Sequence, residues 1–324
     1  MTRFGRWLPA GLLAAGLGFF AVTAPGFASW RTLQNIAVQS SSIGIVAAGM
    51  TLVLLTAGID LSVGSVMFLS AAVAGKLALS GSPQLGFVMA ACGVGLAAGA
   101  ANGLLVVRFR IPPFIATLGL LYALRGYTLY ITETRAMNLP ESLLQLATSS
   151  VLGVPAPVVA LAVVIATLEF ALRMTPWGRR VYAVGYNPEQ ARRAGLPVRS
   201  LVASAYVLCG LLAAIGGLLS VGQLGAVSPT FGSGREFAAI AAAVLGGTSL
   251  FGGRGSVFPG TLLGAILIQT VETGLVMMNA NPYLYPIVMA AVIFAAVLLD
   301  SLRTEWVRRA MVRTIRPLTR AAAR

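Results

Sequence analysis

The stretch AAGMTLVLLTAGIDLSVGSV, residues 47–66, joins two apolar runs through a short polar break. The first run begins near residue 33 and the second continues to about residue 81. Apolar runs of about 17–25 residues are long enough to cross a hydrocarbon core of about 30 Å. Asp60 lies in the break, where it suits the cap of the following helix. The stretch therefore predicts the end of one membrane helix and the start of the next.

The same pattern recurs along all 324 residues, of which 57% are hydrophobic and only 10% charged, against about 25% charged in a soluble domain. An all-α, polytopic transmembrane helical bundle of about ten spans is predicted. The spans are residues 8–28, 33–57, 64–81, 84–107, 113–131, 155–172, 200–222, 236–251, 257–279 and 282–300.

The 23 basic residues outnumber the 9 acidic ones, and most lie in alternate loops and at the two ends. The positive-inside rule therefore predicts that both termini are cytoplasmic. This distribution explains the charge better than nucleic-acid binding does. The charge distribution divides the chain into a membrane domain, 1–301, and a basic cytoplasmic tail, 302–324, which anionic lipid attracts. The membrane domain includes a cytoplasmic loop at 173–199.

Residues 47–66 also align without gaps on AAIAAAVLGGTSLFGGRGSV, residues 238–257. Much of this similarity reflects the abundance of alanine and glycine. It is a hint of an internal duplication, a feature of many transporters.

The loop 173–199 contains GRRVYAVGYNPEQARRAGLPV, residues 178–198, in which several arginines accompany the signals of a short helix. Asn187 suits the N-cap, and Pro188 suits the first helical position. Glu189 lies where the helix dipole favours an anion. The sequence therefore predicts that a helix begins here, within a cytoplasmic loop.

This helix ends after about two turns. Arg192 and Arg193 fall in the last turn, where cations are favoured, and Gly195 terminates the helix. Because helices shorter than about 12 residues are marginal in water, another surface must hold it. Ala191 and Ala194 suit a helix that docks into a partner's groove. An ordinary charged loop that obeys the positive-inside rule is the alternative interpretation.

The motif G-R-x-x-Y-A-x-G-x-N-x-x-x-A-R-x-x-G, starting at Gly178, resembles the ATPase-contacting loop of permeases from ribose-type sugar ABC importers. Further segments are similar to the same family: GIDLSVGS (58–65), IPPFIATLG (111–119), LRG (124–126) and IAAAVLGGTSLFGGRGSVFPGTLLGA (240–265).

This resemblance implies a bacterial inner-membrane permease. It also implies three partners: an ATP-binding subunit, a second permease chain (identical or paralogous) and a periplasmic sugar-binding protein. The expected ATPase-coupling residues are Gly185, Asn187, Pro188, Glu189, Ala191, Arg192, Arg193, Ala194 and Gly195.

ATP and Mg²⁺ are expected in the partner ATPase, and no cofactor in this chain. A phosphate-binding G-x-x-x-x-G-K-[ST] loop needs a lysine, but Lys76 follows Ser70 where the first glycine should stand. The chain has no histidine and no paired carboxylates at useful spacing, so neither catalytic nor metal-binding residues are predicted. A membrane enzyme is therefore disfavoured.

Two groups of residues remain as weaker site predictions. A glycine-rich turn, which tolerates positive φ and close backbone approach, is predicted at Gly246, Gly247, Gly252, Gly253 and Gly255. Gating or translocation residues are predicted at Asp60, Ser62, Tyr122, Arg125 and Glu272. Arg125 and Glu272 lie within spans, so they either pair with each other or each line the cavity.

Two other transporter classes stay open. A permease of the same superfamily for branched-chain amino acids or nucleosides is the close alternative, although GIDLS and LGGTSLFGGRGS favour sugar. An ion-coupled secondary transporter would carry its ion on a mid-span carboxylate, for which Glu272 is the clear candidate. In that class the helix at 187–195 has no docking partner.

Overall fold

The computed structural model describes residues 8–295, 297–298 and 301. Its helices are α1 Leu8–Thr23, α2 Trp30–Leu55, α3 Val63–Leu79, α4 Gln84–Val107, α5 Pro113–Ile131, α6 Glu141–Thr148, α7 Ala156–Met174, α8 Pro176–Tyr186, α9 Pro188–Arg193, α10 Val198–Leu224, α11 Arg235–Leu245, α12 Leu262–Met277 and α13 Tyr285–Ala295. A π-helical turn, Val257–Thr261, leads into α12, and a 3₁₀ turn, Pro282–Leu284, leads into α13. The predicted tail 302–324 lies outside the described residues.

Within the described part of the chain, six helices are long and apolar enough to cross a membrane: α2, α4, α5, α7, α10 and the segment Val257–Met277. Helices α1, α3 and α13 are apolar but shorter. The prediction of a helical protein with several membrane spans is therefore confirmed. The span number of ten and the position of the termini stay predictions.

The prediction of a full span at 236–251 is wrong. Helix α11 has 11 residues and ends at Leu245, so at 1.5 Å per residue it reaches about half-way across a hydrocarbon core. Gly246 caps it, and Gly247 has a φ of 91°, which turns the chain away from the helix axis. The apolar run continues past this point, which is why hydropathy alone overestimates the helix.

Helix α2 lies at the centre of the bundle. In its apolar window 89% of the residues are buried, against 17% in α5 and 28% in α7. It contacts α10, where the Ser42 hydroxyl donates to the Gly216 carbonyl at 2.7 Å. It also contacts α12 through the hydroxyls of Thr51 and Thr261, 2.7 Å apart. Hydrogen bonds between helices of this kind satisfy polar groups that have no water partner.

Glycines allow α4 and α10 to pack backbone against backbone. Gly95 lies against Gly210, and Gly99 lies against Tyr206 and Val207. A side chain at any of these three glycines would collide with the main chain of the facing helix. Small residues at such contacts are the usual means of close helix approach in membranes.

The end of the bundle opposite α9 carries two short strand pairs. β1 Met137–Asn138 pairs antiparallel with β4 Ala226–Val227, and β2 Ser150–Val151 pairs with β3 Val154–Pro155. The first pair ties the segment after α5 to the segment after α10. Helix α6 lies between β1 and β2 in sequence.

We expect Gly99→Val to lower the free energy of unfolding by about 1–3 kcal/mol, because the new methyl groups meet the α10 backbone. Gly93→Val is the matched control. It lies on the same helix, carries the same helix propensity, and has no described atom within 4 Å of its Cβ position. Unfolding in detergent micelles by titration with sodium dodecyl sulfate measures both. Equal losses in the two variants would contradict the packing assignment.

Candidate functional site

Helix α9, Pro188–Arg193, is capped at both ends. The Asn187 side-chain oxygen accepts the Gln190 amide at 2.9 Å, and Gly195 adopts a φ of +77° after the last turn. The amide of Leu196 donates to the Ala191 carbonyl at 3.0 Å, which closes the C-terminal end. These local bonds explain how a helix of 6 residues holds its shape.

The two faces of α9 differ. Ala191 is buried, so it anchors the helix to the rest of the chain and is not available to a partner. Of the two alanines that the sequence analysis named as suited to docking, Ala191 therefore packs within the chain, and docking of α9 on a partner stays a prediction. Ala194 is exposed, as are Glu189, Arg192 and Arg193. The accessible face of α9 therefore consists of three charged side chains and one small residue, Ala194.

Glu189 organises that face. Its carboxylate pairs with Arg192 at 2.6 Å and with Arg193 at 3.2 Å. The hydrogen bonds from Arg192 and then Arg193 hold the pKa of Glu189 below its ordinary value, so the side chain is ionised at neutral pH. The two arginines are thereby held on the same side of a helix only two turns long.

Helix α8 attaches α9 to the membrane bundle at a three-way junction, which we define by Leu55, Gly185 and Gly253. Leu55 ends α2, Gly185 lies in the last turn of α8, and Gly253 lies in the glycine-rich turn. The Gly253 amide donates to the Leu55 carbonyl at 3.0 Å. Gly185 packs directly on the same carbonyl, where no side chain fits.

A second bond reinforces this junction. The Tyr182 hydroxyl of α8 donates to the Gly255 carbonyl at 2.9 Å. Burial, followed by the charge of Glu169, raises the pKa of Tyr182 to about 12, so the phenol stays protonated and remains a donor. Helix α8 is therefore held to the glycine-rich turn by the close backbone contact at Gly185 and by the Tyr182 hydrogen bond.

The glycine-rich turn contains four glycines with positive φ. Gly247, Gly252, Gly253 and Gly255 have φ values of 91°, 85°, 69° and 151°. Such values are accessible to glycine at little steric cost. Gly246 has an ordinary φ, but its Cα position packs against Gly260 at the start of α12. The turn thus brings α11 and α12 together and presents its backbone to α8.

The break after α2 is held by a buried polar cluster. One Asp60 carboxylate oxygen accepts the Ser62 amide at 2.9 Å, the Ser62 hydroxyl at 2.7 Å and the Asn102 amide nitrogen at 3.1 Å. The Asn102 nitrogen also donates to the Ser62 hydroxyl at 2.8 Å. All three side chains are at most 1% exposed. The cluster ties the break to α4.

Asp60 and Ser62 therefore do not line an open path in this conformation, and Ser62, not Asp60, is the residue immediately before α3. The Asp60 carboxylate accepts the backbone amide of Ser62, the residue just before α3, so its role is close to the helix cap that we expected. The neighbouring Ile59 carbonyl accepts from Thr117 of α5 and Tyr206 of α10, both at 3.4 Å. Three helices, α4, α5 and α10, thus form hydrogen bonds with the break between α2 and α3.

Arg125 and Glu272 do not pair with each other. Arg125 of α5 donates to the Ser233 hydroxyl at 2.8 Å and the Phe231 carbonyl at 3.4 Å, and it lies over the Phe68 ring. Glu272 of α12 instead faces Arg235 at 3.8 Å. Both charges thus contact residues 231–235, which lead into and begin α11.

Tyr122 projects from the exposed side of α5, with 68% of its surface accessible. Tyr127 and Tyr130 are exposed on the same helix. The structure does not gather these rings with Arg125 and Glu272 into a common cavity of the described residues.

Sequence reasoning missed two carboxylates. Glu169 of α7 accepts the amides of Val257 at 3.1 Å and Phe258 at 2.8 Å, and forms an ion pair with Arg173. It therefore holds the first turn before α12. Glu236 is buried in the first turn of α11, and one of its oxygens has no partner among the described residues. Both Glu169 and Glu236 could have been found from the sequence, because each is an acidic residue inside a predicted span.

Comparison with known proteins identifies the chain's relatives. The family described as "Branched-chain amino acid transport system / permease component" matches residues 32–297. The ribose import permease protein of Escherichia coli is 39% identical over 290 residues, which cover 88% of this chain and 90% of that protein. The chain belongs to this permease family.

Two further permeases are similar over comparable lengths. The fructose import permease protein of Rhizobium meliloti is 38% identical over 313 residues, 93% of this chain and 86% of that protein. The D-allose transport system permease protein of Escherichia coli is 36% identical over 294 residues, 90% of each chain. The predicted resemblance to import permeases is confirmed, and with it the assignment as a multi-pass membrane transport protein.

In this permease, we expect Asp60→Ala and Asn102→Ala to be coupled, because each removes the hydrogen bond that joins the two buried side chains. A double-mutant cycle on the free energy of unfolding should give an interaction energy of about 1–2 kcal/mol. Titration with sodium dodecyl sulfate measures the cycle. Additivity within about 0.5 kcal/mol would show that the two side chains act independently.

Proposed function

We propose that the chain is the permease subunit of an ATP-binding-cassette importer that moves a monosaccharide, ribose or a related sugar, into the cytoplasm. The observation that carries this proposal is the similarity to ribose, fructose and allose import permeases along about nine-tenths of each chain. The exposed, capped helix α9 supports it, since a permease of this class needs a surface for its ATPase.

The proposed arrangement has ten spans, with both termini and α9 on the cytoplasmic side. The six long helices and the three shorter apolar helices supply nine of those crossings. In the tenth, the half-length α11 covers part of the distance and the non-helical segment 228–234 before it covers the rest. Residues 1–301 are the membrane domain and 302–324 are a basic tail at the inner membrane surface, where anionic lipid attracts it. The strand pairs and α6 then face the periplasm.

Transport would use alternating access. The partner ATPase binds ATP and Mg²⁺, and a periplasmic binding protein delivers the sugar to a pair of permease chains. Motion of the ATPase displaces α9, and α8 passes the displacement to the three-way junction. Because Leu55 ends α2 and the glycine-rich turn leads into α12, one displacement reaches two central helices.

Two alternatives differ from this proposal in substrate or energy source. The family description favours branched-chain amino acids as a second substrate class. Uptake of ribose, fructose, allose and leucine by the same reconstituted complex distinguishes the classes. An ion-coupled transporter is less well supported, because Glu272 lies close to Arg235 and is not an isolated carboxylate.

Exchanging the charges of Glu189 and Arg193 tests the docking role of α9. The double variant Glu189→Arg with Arg193→Glu keeps an opposite-charge pair four residues apart and leaves the Asn187 and Gly195 caps in place, although both new charges oppose the helix dipole. It inverts the charge pattern that a partner meets. We expect co-purification of the ATPase and ATP-dependent uptake to fall at least about tenfold, equivalent to about 1.4 kcal/mol of binding.

The matched control is Glu133→Arg with Arg135→Glu, an exposed acid–base pair, 3.6 Å apart, at the opposite end of the bundle. It should leave ATPase binding unchanged. Undiminished uptake by the α9 exchange would rule out docking through this surface. A chain that purifies alone and transports solute without ATP would rule out the importer itself.

The proposed orientation predicts opposite labelling of two single-cysteine positions. Leu152→Cys, at the tip of the β2–β3 turn, should react with an impermeant maleimide in intact cells. Ala194→Cys should react only after the inner membrane is opened. The unsubstituted chain, with Cys92 and Cys209, provides the background. Labelling of Ala194→Cys in intact cells would show that the orientation is the reverse of the one proposed.

A further inference from the structure

A cavity of about 940 Å³ lies between α11, α12, α13 and the middle of α2. It is separate from the three-way junction, and most of its wall is apolar. Its polar residues are concentrated where the start of α11 faces the second half of α12: Gln39, Ser233, Arg235, Gln269, Glu272 and Thr273. Polar and charged side chains at this depth are costly in a membrane, so a group of them calls for a functional explanation.

Gln269 is the best-defined member of the group. Its side chain is 3% exposed, and its amide nitrogen donates to the Gln39 carboxamide oxygen at 3.0 Å and to the Thr273 hydroxyl at 3.3 Å. A carboxamide carries both donor and acceptor groups. The Gln39–Gln269 pair is therefore held in place by its own bonds and can still offer either kind of bond to a molecule in the cavity.

The charges of the cavity balance. Arg235 and Glu272 lie 3.8 Å apart, with side chains 37% and 30% exposed. One cation beside one anion favours neither an anionic nor a cationic ligand, whereas both groups form strong hydrogen bonds with hydroxyls. The site therefore suits an uncharged ligand with many hydroxyl groups.

Aromatic rings complete the wall. Phe237 of α11 and Tyr285 and Phe294 of α13 line the same cavity. Their faces are apolar and suit the C–H surface of a sugar ring, while the amides and the ion pair suit its hydroxyls. A volume of this size also falls in the usual range for small-molecule sites.

We propose that this cavity is a transient binding site for the neutral monosaccharide during its passage, with Gln269, Gln39 and the Arg235–Glu272 pair as the groups that bind its hydroxyls. The inference deepens the proposed function and rests on it. It assigns to the α11–α12 region a role in substrate recognition that is separate from the coupling role of α8 and α9.

The test uses the complete complex in proteoliposomes: permease, ATPase and binding protein. Uptake of D-ribose is compared with uptake of 2-deoxy-D-ribose for wild type, Gln269→Leu and Glu272→Gln. Gln223→Leu is the control, because Gln223 is also an intramembrane amide and donates to the Val38 carbonyl at 3.2 Å, next to Gln39, but does not belong to the described cavity wall.

We expect ribose uptake by Gln269→Leu and Glu272→Gln to fall about fivefold, as for loss of one or two hydrogen bonds. The ratio of ribose to deoxyribose uptake should also change, because a site that bonds hydroxyls discriminates against their loss. The binding protein is the same in every assay, so its own preference cancels when ratios are compared between variants. A merely structural defect lowers both rates and leaves the ratio unchanged.

An unchanged ratio in both cavity variants, or the same change in Gln223→Leu, would overturn the assignment. Co-purified phospholipid that is found by mass spectrometry in wild type and lost in both cavity variants would also overturn it, since the cavity would then hold a lipid chain. If the wild-type complex takes up leucine and neither ribose, fructose nor allose, the proposed sugar function itself fails, and that outcome is visible without any variant.

Discussion

The carbonyl group of Leu55 is the point on which the organisation of this permease depends. A helix that ends inside a membrane protein leaves carbonyls without partners, and no bulk water is present to satisfy them. Here the amide of Gly253 donates to Leu55, and Gly185 packs on the same carbonyl because it has no side chain. The most buried of the six long apolar helices is therefore completed by two distant segments.

This requirement explains why three motifs far apart in sequence meet. The break 58–62 follows Leu55, the turn 246–256 supplies its donor, and α8 covers both. The same contacts connect the exposed helix α9 to α2 and α12. The three-way junction, which satisfies the Leu55 carbonyl, is thus also the place where a displacement of α8 would reach α2 and the glycine-rich turn. The contact between Ala57 and Gly252 joins the two breaks contained in the similar stretches 47–66 and 238–257.

The start of α11 is the second concentration of polar groups. Because this helix has only half the length of a span, its first turn lies within the bundle instead of at a membrane surface. Arg125 and Glu272 approach it from two helices, and Glu236 is buried in it. Charges inside a membrane protein need such partners or a polar cavity. The cavity beside Arg235 offers that environment, and its wall does not include residues of α8 or α9.

The amino-acid sequence was sufficient to predict the helical membrane class, the family, the positions of most helices and the caps of α9. These properties follow from local quantities: length of apolar runs, propensity, and the fit of Asn187 and Gly195 to helix ends. The sequence also indicated the glycine-rich turn, because few other residues adopt its φ values. It overestimated α11, since an apolar run does not reveal where glycines bend it.

Which of those elements touch is visible in the folded structure and not in the sequence. It separated Arg125 from Glu272, turned Ala191 inward, and revealed Glu169 as an acceptor for the turn before α12. It also showed that Asp60 is enclosed by Ser62 and Asn102. Each of these outcomes depends on the distance between residues remote in sequence, and hydropathy and spacing carry no information about that distance. Local chemistry therefore defines the parts of this permease, and the packing of α2, α10 and α12 decides which polar groups are satisfied internally and which face the cavity.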